Sequence, residues 1–94
     1  MSDISSVVVI IPSLNPDEKL NLVVKGAISA GFKHLVLVND GSNEEHLLPF
    51  READENPEVT VLTHEFNKGK GRALKTAFEY IIKNMPDMAG AITV

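Results

Sequence analysis

Val36-Leu37-Val38-Asn39-Asp40-Gly41-Ser42 is the stretch that decides the fold. An apolar strand ends in a carboxylate, then passes at once into a glycine turn and a serine suited to cap a helix. Burial of the apolar residues fixes where the strand stops, so Asp40 is held at its carboxyl end as a hydrogen-bond acceptor. In open α/β sheets, ligands bind outside the carboxyl ends of the strands. Asp40 is therefore a candidate binding residue, although Asp-Gly is also ordinary turn chemistry.

Working outward, Val7-Val8-Val9-Ile10-Ile11 is β-branched at every position and Pro12 follows it. The run shows no alternation, so it reads as a central parallel strand covered on both faces. Asn15-Pro16-Asp17-Glu18 reads as a helix start, with Asn15 as N-cap and Pro16 at the first helical position. Leu20, Val23, Val24, Ala27 and Ile28 then share one helical face, and Gly31 is the expected stop. Residues 34–39 form the second strand.

Ser42 and Glu45 fit a capping box that opens a short acidic helix through Leu47, Leu48 and Ala53, broken at Asn56-Pro57. Residues 59–63 read as a third strand, and Thr60 and Thr63 suit a sheet edge. Leu74, Ala77, Phe78, Ile81, Ile82 and Met85 place a longer helix after the Asn67-Lys68-Gly69-Lys70-Gly71 loop, with Pro86 just past its end. Residues 89–94 form the fourth strand. The βαβαβαβ pattern implies a Rossmann-like, three-layer αβα fold with a parallel sheet, right-handed crossovers and the spatial order 3-2-1-4.

Composition narrows the function. The chain has 94 residues, enough for one small domain. It contains no cysteine, which excludes disulfides, thiolate metal sites and cysteine nucleophiles and fits a cytoplasmic location. Met1-Ser2-Asp3 lacks the basic region of a signal peptide, and the run from Val7 to Ile11 is too short to span a bilayer. Net charge is −4, so a broad nucleic-acid-binding face is not expected. Lys68, Lys70, Arg72 and Lys75 nevertheless cluster with no acid among them. Cations at a helix N-terminus oppose the macrodipole at a cost of about 0.3–1 kcal/mol each. The cluster reads either as a solvated helix start or as a seat for one compact anion such as a diphosphate. It is neither a Walker loop nor a Gly-x-Gly-x-x-Gly fingerprint. His34, His46 and His64 show no metal-ligand spacing and read as surface or strand-end residues. Ser13 has no partner that would make it a nucleophile.

Taken together these residues resemble the nucleotide-binding half of family 2 glycosyltransferases, which have the GT-A fold. The resemblance runs through Val8-Val9-Ile10-Ile11-Pro12-Ser13-Leu14-Asn15, Val38-Asn39-Asp40-Gly41-Ser42 and Asn67-Lys68-Gly69-Lys70-Gly71-Arg72-Ala73-Leu74. The Gly-Lys-Gly wording is most similar to the branch that makes polyprenyl-phosphate sugars or assembles cell-envelope polysaccharides. The resemblance implies that Asp40 accepts a hydrogen bond from the nucleobase. Pro12, Ser13 and Asn15 would line the base and ribose pocket, and Lys70 would lie near the donor nucleotide. The family's Glu after the first-turn Asn is replaced here by Pro16, with acids at Asp17 and Glu18.

The implied enzyme transfers a sugar from a UDP- or GDP-type donor to a lipid-phosphate or saccharide acceptor. Its Mg²⁺ or Mn²⁺ is held by an Asp-x-Asp motif after the fourth strand. The chain stops at Val94, so residues 1–94 read as one truncated GT-A half domain carrying donor-site residues but no catalytic or metal-binding residue, and inactive alone. Membrane contact is expected only through segments beyond Val94, and self-association through the exposed fourth-strand edge. The alternative from a different class is a stand-alone small nucleotide-binding, phosphate-binding or protein-interaction module with a flavodoxin-like sheet.

Overall fold

The structure, a computed structural model, describes residues 4–94; Met1-Ser2-Asp3, read above for a signal peptide, lie outside the described residues. A 3₁₀ turn at Ile4–Ser6 leads into β1 (Val7–Ser13), α1 (Lys19–Ser29) and β2 (His34–Asp40). A second 3₁₀ turn, Glu44–His46, precedes α2 (Leu48–Asp54), β3 (Val59–His64), α3 (Lys70–Asn84) and β4 (Gly90–Thr93). The strands form one sheet in the order β3-β2-β1-β4, parallel at each pairing. This is the expected order. A flavodoxin-like sheet would set the third strand beside the first, the position that β4 takes here.

Both faces of the sheet are covered, and this is why β1 and β2 show no polar alternation. Val9, Ile11, Leu35 and Leu37 point to one side, where they pack with Leu20 and Val24 of α1 and Phe50 and Ala53 of α2. Val8, Ile10, Val36 and Val38 point to the other, under Ala73, Ala77 and Ile81 of α3. Ala73 and Ala77 are fully buried, and their small side chains let α3 lie close to the sheet.

Pro12 does not end the first strand; Pro12 pairs with Val38 and Ser13 with Asn39. The reason lies in which way the backbone faces. The Ile10 carbonyl accepts from Val94 N at 3.0 Å, on the β4 side. Backbone groups alternate sides along a strand, so Pro12 faces the same way as Ile10. Pairing with β4 has ended there, at Ile10 with Thr93. Among the described residues the missing proline N–H therefore faces no paired residue of β4.

Helix starts differ most from the sequence reading. Asn15 is not the cap of α1: it lies in the left-handed region at φ 49°. The helix begins four residues later, and Asp17 Oδ1 accepts from Lys19 N at 2.9 Å. The far end is as expected. Gly31 (φ 105°) stops α1, and Phe32 N–H turns back to donate to the Ala27 carbonyl at 3.1 Å. The Ser42–Glu45 capping box does not form: the turn there is Glu44–His46, and Asn43, not Ser42, stands at its cap position.

The buried face of α3 is the row Ala73, Ala77 and Ile81, flanked by Leu74, Tyr80 and Met85. Phe78 (44%) and Ile82 (75%) are exposed. At roughly 100° per residue they sit about 100° and 140° from the centre of that row, too far round to touch a flat sheet. On α1, Val23 is exposed by the same rotation, while Leu20 and Val24 are buried.

Candidate functional site

Three strands end side by side at Ser13, Asp40 and His64, with Ser13 beside Asn39 and Asp40 beside His64 in register. The loops that follow them close around a cleft of about 360 Å³. Pro12, Ser13, Asp40 and Lys70 line it, together with Asn67, Gly69 and Ala73. Four of the five residues expected to meet do so, and the carboxylate and the lysine face the same space.

Asn15 is the exception. Its N–H donates to Ser42 Oγ at 2.8 Å and its Oδ1 accepts from Asn43 N at 2.8 Å. Ser42 N in turn donates to Asn39 Oδ1 at 2.9 Å. Asn15 thus latches the loop after β1 to the loop after β2, and it does not line the cleft. The latch spans 27 positions of chain.

Asp40 is 5% exposed. Its Oδ1 accepts from His64 Nδ1 at 2.8 Å and from Lys68 N at 2.9 Å. Its Oδ2 accepts from Gly69 N at 2.9 Å, an N–H shared with Asn67 Oδ1 at 3.0 Å. Burial by itself pushes the carboxyl pKa up. The bonds from His64, Lys68 and Gly69, with the attraction of the His64 ring in its charged form, outweigh it and hold the group below the usual carboxylate range. An ionised carboxylate offers about four acceptor positions. Three are taken, and the open one belongs to Oδ2.

His64, read from sequence as an ordinary surface or strand-end residue, is at a strand end but buried, 8% exposed. Its Nε2 meets Thr76 Oγ1 at 2.8 Å. Because ionised Asp40 only accepts, Nδ1 carries a proton, and in the neutral ring Nε2 accepts the Thr76 hydroxyl. Nothing local in the sequence marks this partnership; the register of β2 with β3 creates it.

Gly41 explains the Asp-Gly pair. It has φ 78°, and a Cβ there would lie 2.3 Å from Asn67 N and 2.4 Å from Phe66 C. Only glycine lets the loop after β2 touch the loop after β3. That contact brings Lys68 and Gly69 onto Asp40.

Gly69 (φ 91°) then turns the chain into α3. The first amides of an α-helix have no intrahelical partner, and with the macrodipole they favour an anion. Lys68, Lys70 and Arg72 are exposed around that end, and among the described residues no ion pair engages them. No group of three or more His, Cys, Asp or Glu side chains among the described residues is placed to hold a metal ion. The carboxylate that lines the cleft is already bonded to His64, Lys68 and Gly69. These residues do not fit a divalent-metal site, and no metal-dependent step is assigned to them. No helix among the described residues is long and apolar enough to cross a membrane.

None of the curated proteins matches the chain. Among solved structures the chain is similar to the mannosyltransferase PcManGT from Pyrobaculum calidifontis in complex with GDP-Man and Mn²⁺, at 24% identity and a TM-score of 0.63. The match covers 80% of this chain and 24% of that one, so the chain spans about a quarter of the length of its structural relative. The likeness shows a shared GT-A fold. Residues 8–82 match the family described as Glycosyl transferase family 2. With that match over most of its length, the chain belongs to glycosyltransferase family 2.

Proposed function

We propose that the cleft binds the nucleoside diphosphate of a sugar donor and that the chain is the donor-binding part of a nucleotide-sugar glycosyltransferase. One observation carries this reading: Asp40, with a single acceptor position open, and Lys70, at the amide-rich start of α3, line the same cleft. The first suits one N–H of a base, the second a diphosphate. Pro12 and Ser13 supply the wall between them, on which base and ribose would rest.

The mannosyltransferase of the same fold is described with GDP-Man and Mn²⁺, which supports a nucleotide sugar as the ligand class and a divalent ion in the complete reaction. The described residues bind and orient the donor; they do not supply the ion's ligands. We extend the proposal to a lipid-phosphate or saccharide acceptor, on the resemblance of Gly69-Lys70-Gly71 to that branch of the family.

The test is a calorimetric titration with UDP, GDP and uridine. We expect saturable binding of UDP or GDP, with uridine weaker. Lys70→Ala should cost the diphosphates roughly tenfold in affinity, the scale of one charge-assisted contact, and leave uridine unchanged. Equal loss for uridine and its diphosphate would remove Lys70 from the anion site.

A further inference from the structure

The contacts around Asp40 form a closed circuit. Asp40 ends β2, and His64, in register beside it, ends β3. The His64 ring bridges from Asp40 Oδ1 to Thr76 Oγ1, 2.8 Å on each side. Thr76 is part of α3, whose backbone runs back to Gly69, and Gly69 N–H returns to Asp40 Oδ2 at 2.9 Å. One carboxylate thus holds α3 at two points, directly at its start and through an imidazole further along.

We propose that His64 and Thr76 are positioning residues of the donor site: Thr76 orients the His64 ring, and the ring orients the Asp40 carboxylate that carries the Lys68–Gly69 turn and faces the cleft. The proposal rests on the donor-site reading above and adds residues that do not line the cleft.

Three observations support it. Both ring nitrogens of His64 are bonded, so turning the ring gives up both contacts at once. A helical threonine commonly bonds back to a carbonyl of its own helix; here the Thr76 hydroxyl is aimed at the ring. Asp40 Oδ1 accepts from His64 Nδ1 and from the Lys68 amide together. With the ring displaced, the carboxylate keeps only the Lys68 and Gly69 amides, and its open acceptor position is less firmly directed. A preset carboxylate and turn reduce the ordering that binding would otherwise require.

Thr76→Val removes the hydroxyl and keeps the shape; Thr76→Ser keeps the hydroxyl. Both are compared with the unaltered 94-residue chain by nuclear magnetic resonance and by titration with UDP. In the unaltered chain we expect the His64 ring to carry its proton on Nδ1, and the Lys68 and Gly69 amides to resonate downfield as donors to a carboxylate. Thr76→Val should shift those two amides upfield and weaken UDP binding about three- to tenfold, the size of one orienting hydrogen bond. Thr76→Ser should restore both, and resonances of α1 should not move. A folded Thr76→Val protein with unshifted amides and unchanged affinity overturns the proposal, as does a ring protonated only on Nε2 in the unaltered chain. Should the unaltered chain bind neither UDP nor GDP, the donor-site reading fails, while the ring tautomer and the two amides still decide the positioning claim. His64→Asn, which retains a donor near Nδ1 but cannot reach Thr76, should reproduce the Thr76→Val amide shifts.

Discussion

Asp40 and His64 stand opposite each other at the ends of two adjacent parallel strands, and their side chains meet at 2.8 Å, each 7% exposed. Around this pair the loops after β2 and β3 are tied into one surface. The carboxylate holds two backbone amides of the loop before α3, and Asp40 also lines the cleft.

Asp40→Asn is expected to destabilise the fold at neutral pH. The amide group would turn one N–H donor toward donors already present at Lys68, Gly69 or His64. A buried donor left without an acceptor costs about 1–3 kcal/mol. Urea denaturation at neutral pH measures the loss.

Acid should weaken the unaltered protein through the same carboxylate. The folded pKa of Asp40 lies below its ordinary value. Its contribution is therefore complete above the ordinary carboxylate pKa of the unfolded chain and is lost as pH falls through the lower, folded value. Stability measured down through that range should decline in the unaltered chain, and Asp40→Asn should show a shallower decline. Parallel curves for the two proteins would remove Asp40 from the acid response.

Gly41→Ala and Gly26→Ala should act in opposite directions. At Gly41 the added Cβ would press on the backbone of Asn67 and Phe66, and φ is 78°; a loss of more than about 1 kcal/mol is expected. Gly26 lies inside α1, and beyond its chain neighbours and its own helix backbone no atom lies within 4 Å of the added carbon. Alanine there should gain about 0.5–1 kcal/mol from helix propensity. Thermal unfolding of the two variants reads both signs.

The open side of β4 should cause self-association. β4 ends the sheet and all four of its residues are exposed. Ile92 (45%), Val94 (61%), Phe78 (44%) and Ile82 (75%) add exposed apolar surface. Unpaired strand edges recruit further chains. Light scattering should show an apparent mass that rises with concentration and falls when Ile92 is replaced by Lys. A constant monomer mass across the range would refute this.

Much of the fold is legible in the sequence because it depends on burial that each strand reports by itself. The uninterrupted valine and isoleucine runs in β1 and β2 mark strands covered on both faces, and the threonines of β3 mark an edge. The co-location of Pro12, Ser13, Asp40 and Lys70 follows from strand order, since parallel strands deliver their carboxyl ends to one side. The capping residues are not legible, because Ser42 Oγ accepts from Asn15 N and Asn15 Oδ1 accepts from Asn43 N over a distance in sequence that no local pattern reports. His64 was hidden for a related reason: its partners lie on β2 and α3, and only the register brings them together. Periodicity placed the apolar stripe of α3 but not the angle at which it meets the sheet. Two small alanines set that angle, and Phe78 and Ile82 were left outside it.

Mapping amide resonances of the chain during titration with UDP and with GDP shows whether the cleft at the strand ends is a nucleotide site. Saturable shifts are expected at Ser13, Asp40, Gly69 and Lys70, with little movement around the separate groove formed by Phe50, Arg51 and Val61. Saturable shifts confined to that groove, or none with either nucleotide, would contradict a nucleotide site in the cleft.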